Sequence, residues 1–306
     1  MKIKALAISL NKNISKLDRG IFYMILASLS FAFMGGFVKT LGETIPPLEI
    51  TFFRNVFGVF IILTIFLKNP PKNRGGKPFL LFFRGFMGFL ALLAFFYDMA
   101  YIPLSEAVTY NKTSPLFLAF FSWVFLKEKL PKSAVFALVF GFLGIVLIAK
   151  PEGGSFDKYD LLGIFSGIGA ALAYTSIREL RKYYDTKTIA LSFMSVGTLG
   201  PVILMIISKN IDISPNLDFL FANFVLPKGI EWLYITIIGV SATISQLLMT
   251  KAYSLTKAGI VGTITYSQIL FATLIGAALG DKWPDIYSWI GIFLIILAGI
   301  LVSTKR

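Results

Sequence analysis

The chain contains neither cysteine nor histidine. Thiolate and imidazole metal sites, cysteine nucleophiles and histidine general bases are therefore excluded. With no thiols present, the redox compartment has no signature either. No glycine loop followed by Lys and Ser or Thr occurs, so the chain is not itself an ATPase. Charge is scarce: 15% of residues, against roughly 25% in an average soluble domain. Acid is the scarcer sign, with 16 Asp and Glu against 29 Lys and Arg. No cofactor, metal or catalytic residue is expected, and the chain is not expected to be an enzyme.

What the chain does hold is apolar. Of its 306 residues 56% are hydrophobic, and the mean hydropathy is +0.78. Apolar runs of about 18 residues or more recur along it, each able to cross a hydrocarbon core roughly 30 Å thick. The expected fold class is an all-α polytopic membrane protein. Runs bounded by charges or by Pro and Gly give ten transmembrane helices, at 20–39, 48–67, 78–97, 104–126, 133–149, 160–177, 188–208, 231–250, 258–280 and 286–303. Only the connection 209–230 is long; with Pro215, Asn216 and Pro227 it is expected along the membrane surface. In residues 1–19, Ile3, Leu6, Leu10, Ile14 and Leu17 recur at helical spacing among five basic residues. This segment reads either as an interfacial helix or as a frayed basic tail. A cleavable signal peptide is not expected, because the first long apolar run begins only at Gly20.

The net charge of +13 does not point to nucleic acid, because the basic residues sit in short loops that orient membrane spans. One set of alternate loops, with the two ends, holds twenty Lys and Arg; the other holds Lys39, Lys150, Lys158, Lys209, Lys228 and Lys282. That bias puts both termini in the cytoplasm, and the expected location is the plasma (inner) membrane. The partners expected are a small molecule and the lipid bilayer, with no nucleic acid; monomer and dimer both stay open. Three basic residues remain inside spans: Arg54, Arg84 and Lys112.

The chain also repeats itself. "AYIPLSEA" at 100–107 resembles "AYSLTKAG" at 252–259, and "LKEKLP" at 126–131 resembles "LGDKWP" at 279–284. Gly20-Ile21-Phe22 is echoed by Gly163-Ile164-Phe165, and each half closes on a glycine-spaced apolar run. The unit is five spans. Because five is odd, the second copy enters the membrane upside down, giving two inverted five-helix repeats, 20–149 and 160–303. Inverted repeats recur in secondary transporters, with the substrate site near the midplane between them. The pattern favours a carrier over an enzyme, receptor or scaffold.

Three stretches resemble a known family: "RGFMGFLALLAFFYDMAYIPLSEAVTYNKTSPLF" at 84–117, "FLKEKLPKSAVFALVFGFLGIVLI" at 125–148 and "LGDKWPDIYSWIGIFLIILAGILVS" at 279–303. Together they look like the drug/metabolite transporter superfamily, in its ten-span branch built from two EamA-type repeats. The resemblance implies ten helices around a cavity open to one side at a time. It implies movement of a small organic metabolite without direct use of ATP. One departure is Gln268, which stands in "TYSQILF" where the first half has Pro115. Two other readings stay open: a flippase for a lipid-linked head group, and a non-transporting membrane scaffold.

Polar residues at membrane depth are the candidates for substrate binding, since a charge there costs at least about 2.5–3.5 kcal/mol and normally faces a partner. At 100° per residue, Lys112 shares a small, polar face with Ser105, Thr109, Leu116 and Ala119, while Tyr110, Phe117 and Phe121 lie opposite. Lys112 either lines a cavity or pairs with Asp98 or Glu106 at the outer end. Pro115 removes the backbone bond to Asn111, so a kink with a freed carbonyl is expected there. Arg54 is expected to find Asp98 or Glu49, or to clamp a substrate anion. Arg84 is expected at the cytoplasmic headgroups, with an anion clamp as the alternative. Thr109, Tyr110, Asn111, Tyr174, Gln246, Tyr266 and Gln268 complete the candidates, and Asp98 and Glu106 are candidates for ion pairing or proton coupling. Three basic residues and no mid-span acid favour an anionic or zwitterionic substrate.

Overall fold

The computed structural model describes residues 2–71, 74–126, 132–150, 156–210, 217–255, 261 and 263–303. These form helices α1 (Lys2–Leu41), α2 (Pro47–Lys68), α3 (Pro78–Tyr101), α4 (Leu104–Asn111), α5 (Ser114–Leu126), α6 (Lys132–Ala149), α7 (Lys158–Leu180), α8 (Thr186–Ser208), α9 (Glu231–Leu255), α10 (Ser267–Ala278) and α11 (Ile286–Ser303). Residues 127–131, with the first "LKEKLP" motif, and 211–216 lie outside the described residues.

The starts of these helices follow from local chemistry. Proline stands in the first turn of both α2 and α3, where its missing N–H has no helical partner to lose. Lys77, with φ 50°, turns the chain into α3. α7 opens on a capping box: Asp157 accepts from the Asp160 N–H, and Asp160 accepts from the Asp157 N–H. The basic N-terminal segment is not set off as a helix of its own. It runs without a break into the first span as the beginning of α1.

Six helices are long and apolar enough to cross a membrane, within α1, α2, α3, α7, α8 and α9. Three shorter apolar helices, in α6, α10 and α11, add to them. Large apolar side chains such as Phe60, Leu67, Phe79, Phe136 and Phe293 point outward, as a hydrocarbon surround allows and water does not. The main core is built from α1, α3, α4, α9 and α10, with Val38, Phe96, Met99, Leu104 and Ile269 at its centre.

The packing pairs are α1 with α9, α3 with α7, α2 with α8, and α6 with α11. Glycine permits the closest of them. A Cβ on Gly144 would meet the Gly291 carbonyl oxygen at 2.8 Å, and one on Gly291 would meet that of Gly144 at 2.7 Å. α2 and α8 cross in the same reciprocal way. Gly58 lies against Met194, three residues before Gly197, and Gly197 lies against Asn55, three residues before Gly58.

On the side that the charge bias places in the cytoplasm, Glu179 accepts from Lys182 at 2.6 Å and from Lys77 at 2.8 Å. Lys182 first, then Lys77, hold the Glu179 carboxyl down to about 2 from an ordinary 4.5. A depressed carboxyl stabilises the fold above the ordinary value and loses that contribution as pH falls through the depressed one. Melting temperature is therefore expected to decline between 4.5 and about 2 more steeply in the wild type than in Glu179→Gln. The difference is expected to be small, because the pair is solvent-exposed.

Candidate functional site

The span expected at 104–126 is two helices. α4 ends at Asn111, Lys112 and Thr113 form a turn, and α5 begins at Ser114. The Thr113 N–H donates back to the Tyr110 carbonyl at 3.0 Å, and the Thr113 hydroxyl donates to the same oxygen at 2.6 Å. Pro115 falls in the first turn of α5, where its missing donor leaves nothing unsatisfied. The proline therefore does not kink a continuous helix as the sequence suggested; it starts a new one. The second half breaks at the matching place without proline: Thr265 and Tyr266 form a turn and α10 begins at Ser267. Pro115→Ala is accordingly expected to leave the break and the exchange rate nearly unchanged, within about twofold, in a proteoliposome assay.

The two breaks meet. The Tyr266 hydroxyl donates to the Lys112 carbonyl at 3.4 Å. Gly163 and Gly167 let α7 approach the first break, against the Tyr110 ring and the Thr113 hydroxyl. Gly276 packs on Leu104 and Asp281, but Gly280 makes a left-handed turn with φ 96° rather than a helix contact.

Lys112 is half-buried. Neither Asp98 nor Glu106 pairs with it. Glu106 accepts from the Ser288 hydroxyl at 3.2 Å. Asp98 is fully buried, and among the described residues neither carboxylate oxygen has a hydrogen-bond partner.

Arg54 does not find Asp98 or Glu49. Its Nη1 donates to the Asn55 side-chain oxygen at 3.0 Å, while Glu49 accepts from the Val225 N–H at 2.9 Å. Arg84 is 8% exposed and lies along α3 against Gly88. Both guanidiniums lie on Phe193 of α8, with Cζ 5.4 Å and 5.2 Å from its ring centroid. Each has a buried Nε without a partner. Phe193 had no signal in the sequence beyond being one of 31 phenylalanines. Its place emerges only once α2, α3 and α8 are packed.

Other expected residues separate from this centre. Tyr110 and Thr109 are buried in packing, the first donating to Asp160 at 2.6 Å and the second to the Ser105 carbonyl at 2.6 Å. Asn111 is half-buried beside Lys112, and Gln268 is buried in the first turn of α10. Gln246 is exposed on α9 and does not join the site. Tyr174 is 53% exposed on α7. A cleft of about 700 Å³ near the outer end of α8, lined by Phe52, Val202, Met205, Ile206, Lys209, Asn223 and Phe224, holds none of the expected residues.

The ends that the charge bias places outside are tied across. Lys39 bridges to Asp281 at 2.7 Å, Lys150 to Asp285 at 2.6 Å, and Lys158 to Asp218. The Tyr97 hydroxyl donates to Asp218 at 2.7 Å.

A multi-span helical protein with two interrupted helices that meet, one of them carrying Lys112 at its break, has the build of a membrane transporter. The EamA-like transporter family matches residues 18–150 and again 157–304, and the chain belongs to that family. Similar proteins include an uncharacterized transporter of Helicobacter pylori, 34% identical over 93% of this chain and 94% of that one. The pseudopaline exporter CntI of Pseudomonas aeruginosa is 33% identical over 95% and 98%. Solute carrier family 35 member G1 of Mus musculus is 28% identical over 94% and 78%. A crystal structure 21% identical in sequence shares the fold, with a TM-score of 0.58 over 95% of this chain and 96% of the other.

Proposed function

We propose that the chain is a secondary active transporter. It moves a small organic metabolite, anionic or zwitterionic, across the plasma (inner) membrane by alternating access, with both termini cytoplasmic. The working parts are two inverted five-helix repeats, 20–149 and 160–303. The observation that carries this reading is the pair of interrupted helices meeting at Lys112 and Tyr266, since interrupted spans at the interface of inverted repeats frame substrate sites. The packing pairs support it. Exchanging the halves maps α1 with α9 onto α7 with α3, and it maps α2 with α8 and α6 with α11 onto themselves. The reciprocal glycine contacts of the last two pairs are what a two-fold axis through both crossings produces.

In this reading Lys112, Arg54 and Arg84 face the substrate, and Asp98 exchanges a proton when the outer ends part. The test is a counterflow screen of reconstituted protein against anions, zwitterions and cations. Exchange of an anion or zwitterion, lost in Lys112→Ala and Arg54→Ala, is the expected result. Exchange of cations alone, or unchanged exchange in both variants, contradicts the reading.

A further inference from the structure

We propose that Arg54 and Arg84, set on one phenylalanine ring, bind an organic acid bearing two carboxylates on a short carbon chain. This deepens the carrier reading and rests on it for the place of the site, though not for its chemistry.

The donors come first. Arg84 makes no hydrogen bond or ion pair among the described residues, and only its Nε is sealed off. Its Nη1 lies against Gly88, where a Cβ would meet it at 2.5 Å. Arg54 makes one bond, to Asn55, and its Nε is likewise without a partner. Three lysines of the side that the charge bias places outside, by contrast, have their own acids: Lys39 with Asp281, Lys150 with Asp285, Lys158 with Asp218. The chain supplies counter-charges where it closes, and among the described residues it supplies none to these guanidiniums.

Then their spacing. Both guanidinium carbons lie on Phe193, so they stand within about 11 Å of each other, the most that their ring distances of 5.4 Å and 5.2 Å allow. Two like charges held together at membrane depth repel, and the arrangement gains most from a ligand that neutralises both. A guanidinium presents a planar fork that matches a carboxylate through two hydrogen bonds. Two forks flanking an apolar ring match two carboxylates, with the connecting carbon chain against Phe193.

Their position also fits a carrier. Arg54 precedes Asn55 as Phe193 precedes Met194, and those neighbours make the reciprocal contacts with Gly197 and Gly58. Arg54 and Phe193 are thus equivalent positions of the two repeats that meet at the α2–α8 crossing. A contact on such an axis belongs to both halves at once.

The test is thermal melting of the purified full chain with succinate, acetate or inorganic phosphate at matched ionic strength. Succinate is expected to raise the melting temperature saturably, and acetate and phosphate to leave it unchanged. Arg84→Lys keeps a charge but loses the fork, so it should weaken the succinate response at least tenfold. Phe193→Leu should weaken it on the order of tenfold. An equal response to acetate or phosphate, no response to any of the three, or an unchanged response in Arg84→Lys overturns the proposal. The failures are separable. Counterflow of another metabolite without succinate binding sinks this inference alone. Succinate binding without counterflow of anything sinks the carrier reading alone.

Discussion

Arg84→Gln should lower counterflow of the transported metabolite about a hundredfold while raising the melting temperature of the purified protein. Both effects come from one fact: the Arg84 guanidinium is buried and makes no hydrogen bond or ion pair among the described residues. A hydrogen bond to a charged group contributes about 1.5–3 kcal/mol when made. Losing a two-pronged contact to substrate therefore lowers transport by one to two orders of magnitude. The same charge left unmatched in the empty protein is a burden, at least about 2.5–3.5 kcal/mol at bilayer depth, and glutamine removes it. An arginine that only anchored the fold would show the opposite sign in the melt. A fall in melting temperature together with lost transport would return Arg84 to a structural role.

The second large effect is expected at Asp98. Asp98→Asn should raise the melting temperature by several degrees and remove the response of exchange to an imposed pH gradient. The side chain is fully exposed to neither solvent nor partner: its exposure is 0% and both oxygens lack a hydrogen bond. Among the described residues no Lys or Arg is ion-paired or hydrogen-bonded to it. The Tyr110 hydroxyl of α4 donates a hydrogen bond to Asp160. Glu49 of α2 and Glu106 of α4 are bonded to Val225 and Ser288, and Lys39 of α1 is bridged to Asp281. An uncompensated buried carboxylate is costly, and taking up a proton relieves it. Asparagine keeps the shape without the charge. The amide still lacks partners, but it sheds the larger cost of burying an unpaired charge. Loss of stability in Asp98→Asn, with pH-driven exchange intact, would contradict this role.

Much of the fold was legible because membrane spans are written in plain hydropathy. The long apolar runs of α1, α2, α3, α7, α8 and α9 announce themselves. The short helices were harder. Nothing in "NKTSPLF" distinguishes a kink from a full break, because proline suits both the interior disturbance and the first turn of a new helix. The matching break at Thr265 and Tyr266 carries no proline at all, so periodicity alone read through it.

The site was legible residue by residue but not in its pairings. Arg54, Arg84 and Lys112 stand out as charges in apolar runs. The expected partners, Asp98, Glu49 and Glu106, were chosen by depth along each span, and depth does not fix rotation about the helix axis. Packing turned Glu49 to Val225 and Glu106 to Ser288, and it set both arginines on Phe193. A phenylalanine among 31 gives no sequence signal for that duty.

The central claim is that one cavity at the two helix breaks is reached from each side of the membrane in turn. Because the chain has no cysteine, a single Asn111→Cys substitution beside Lys112 reports on it without background. Membrane-impermeant maleimide applied to sealed vesicles of each orientation measures access from each side. The account predicts labelling from both sides, with each slowed by the transported metabolite. Labelling from one side only, whatever the conditions, would contradict it.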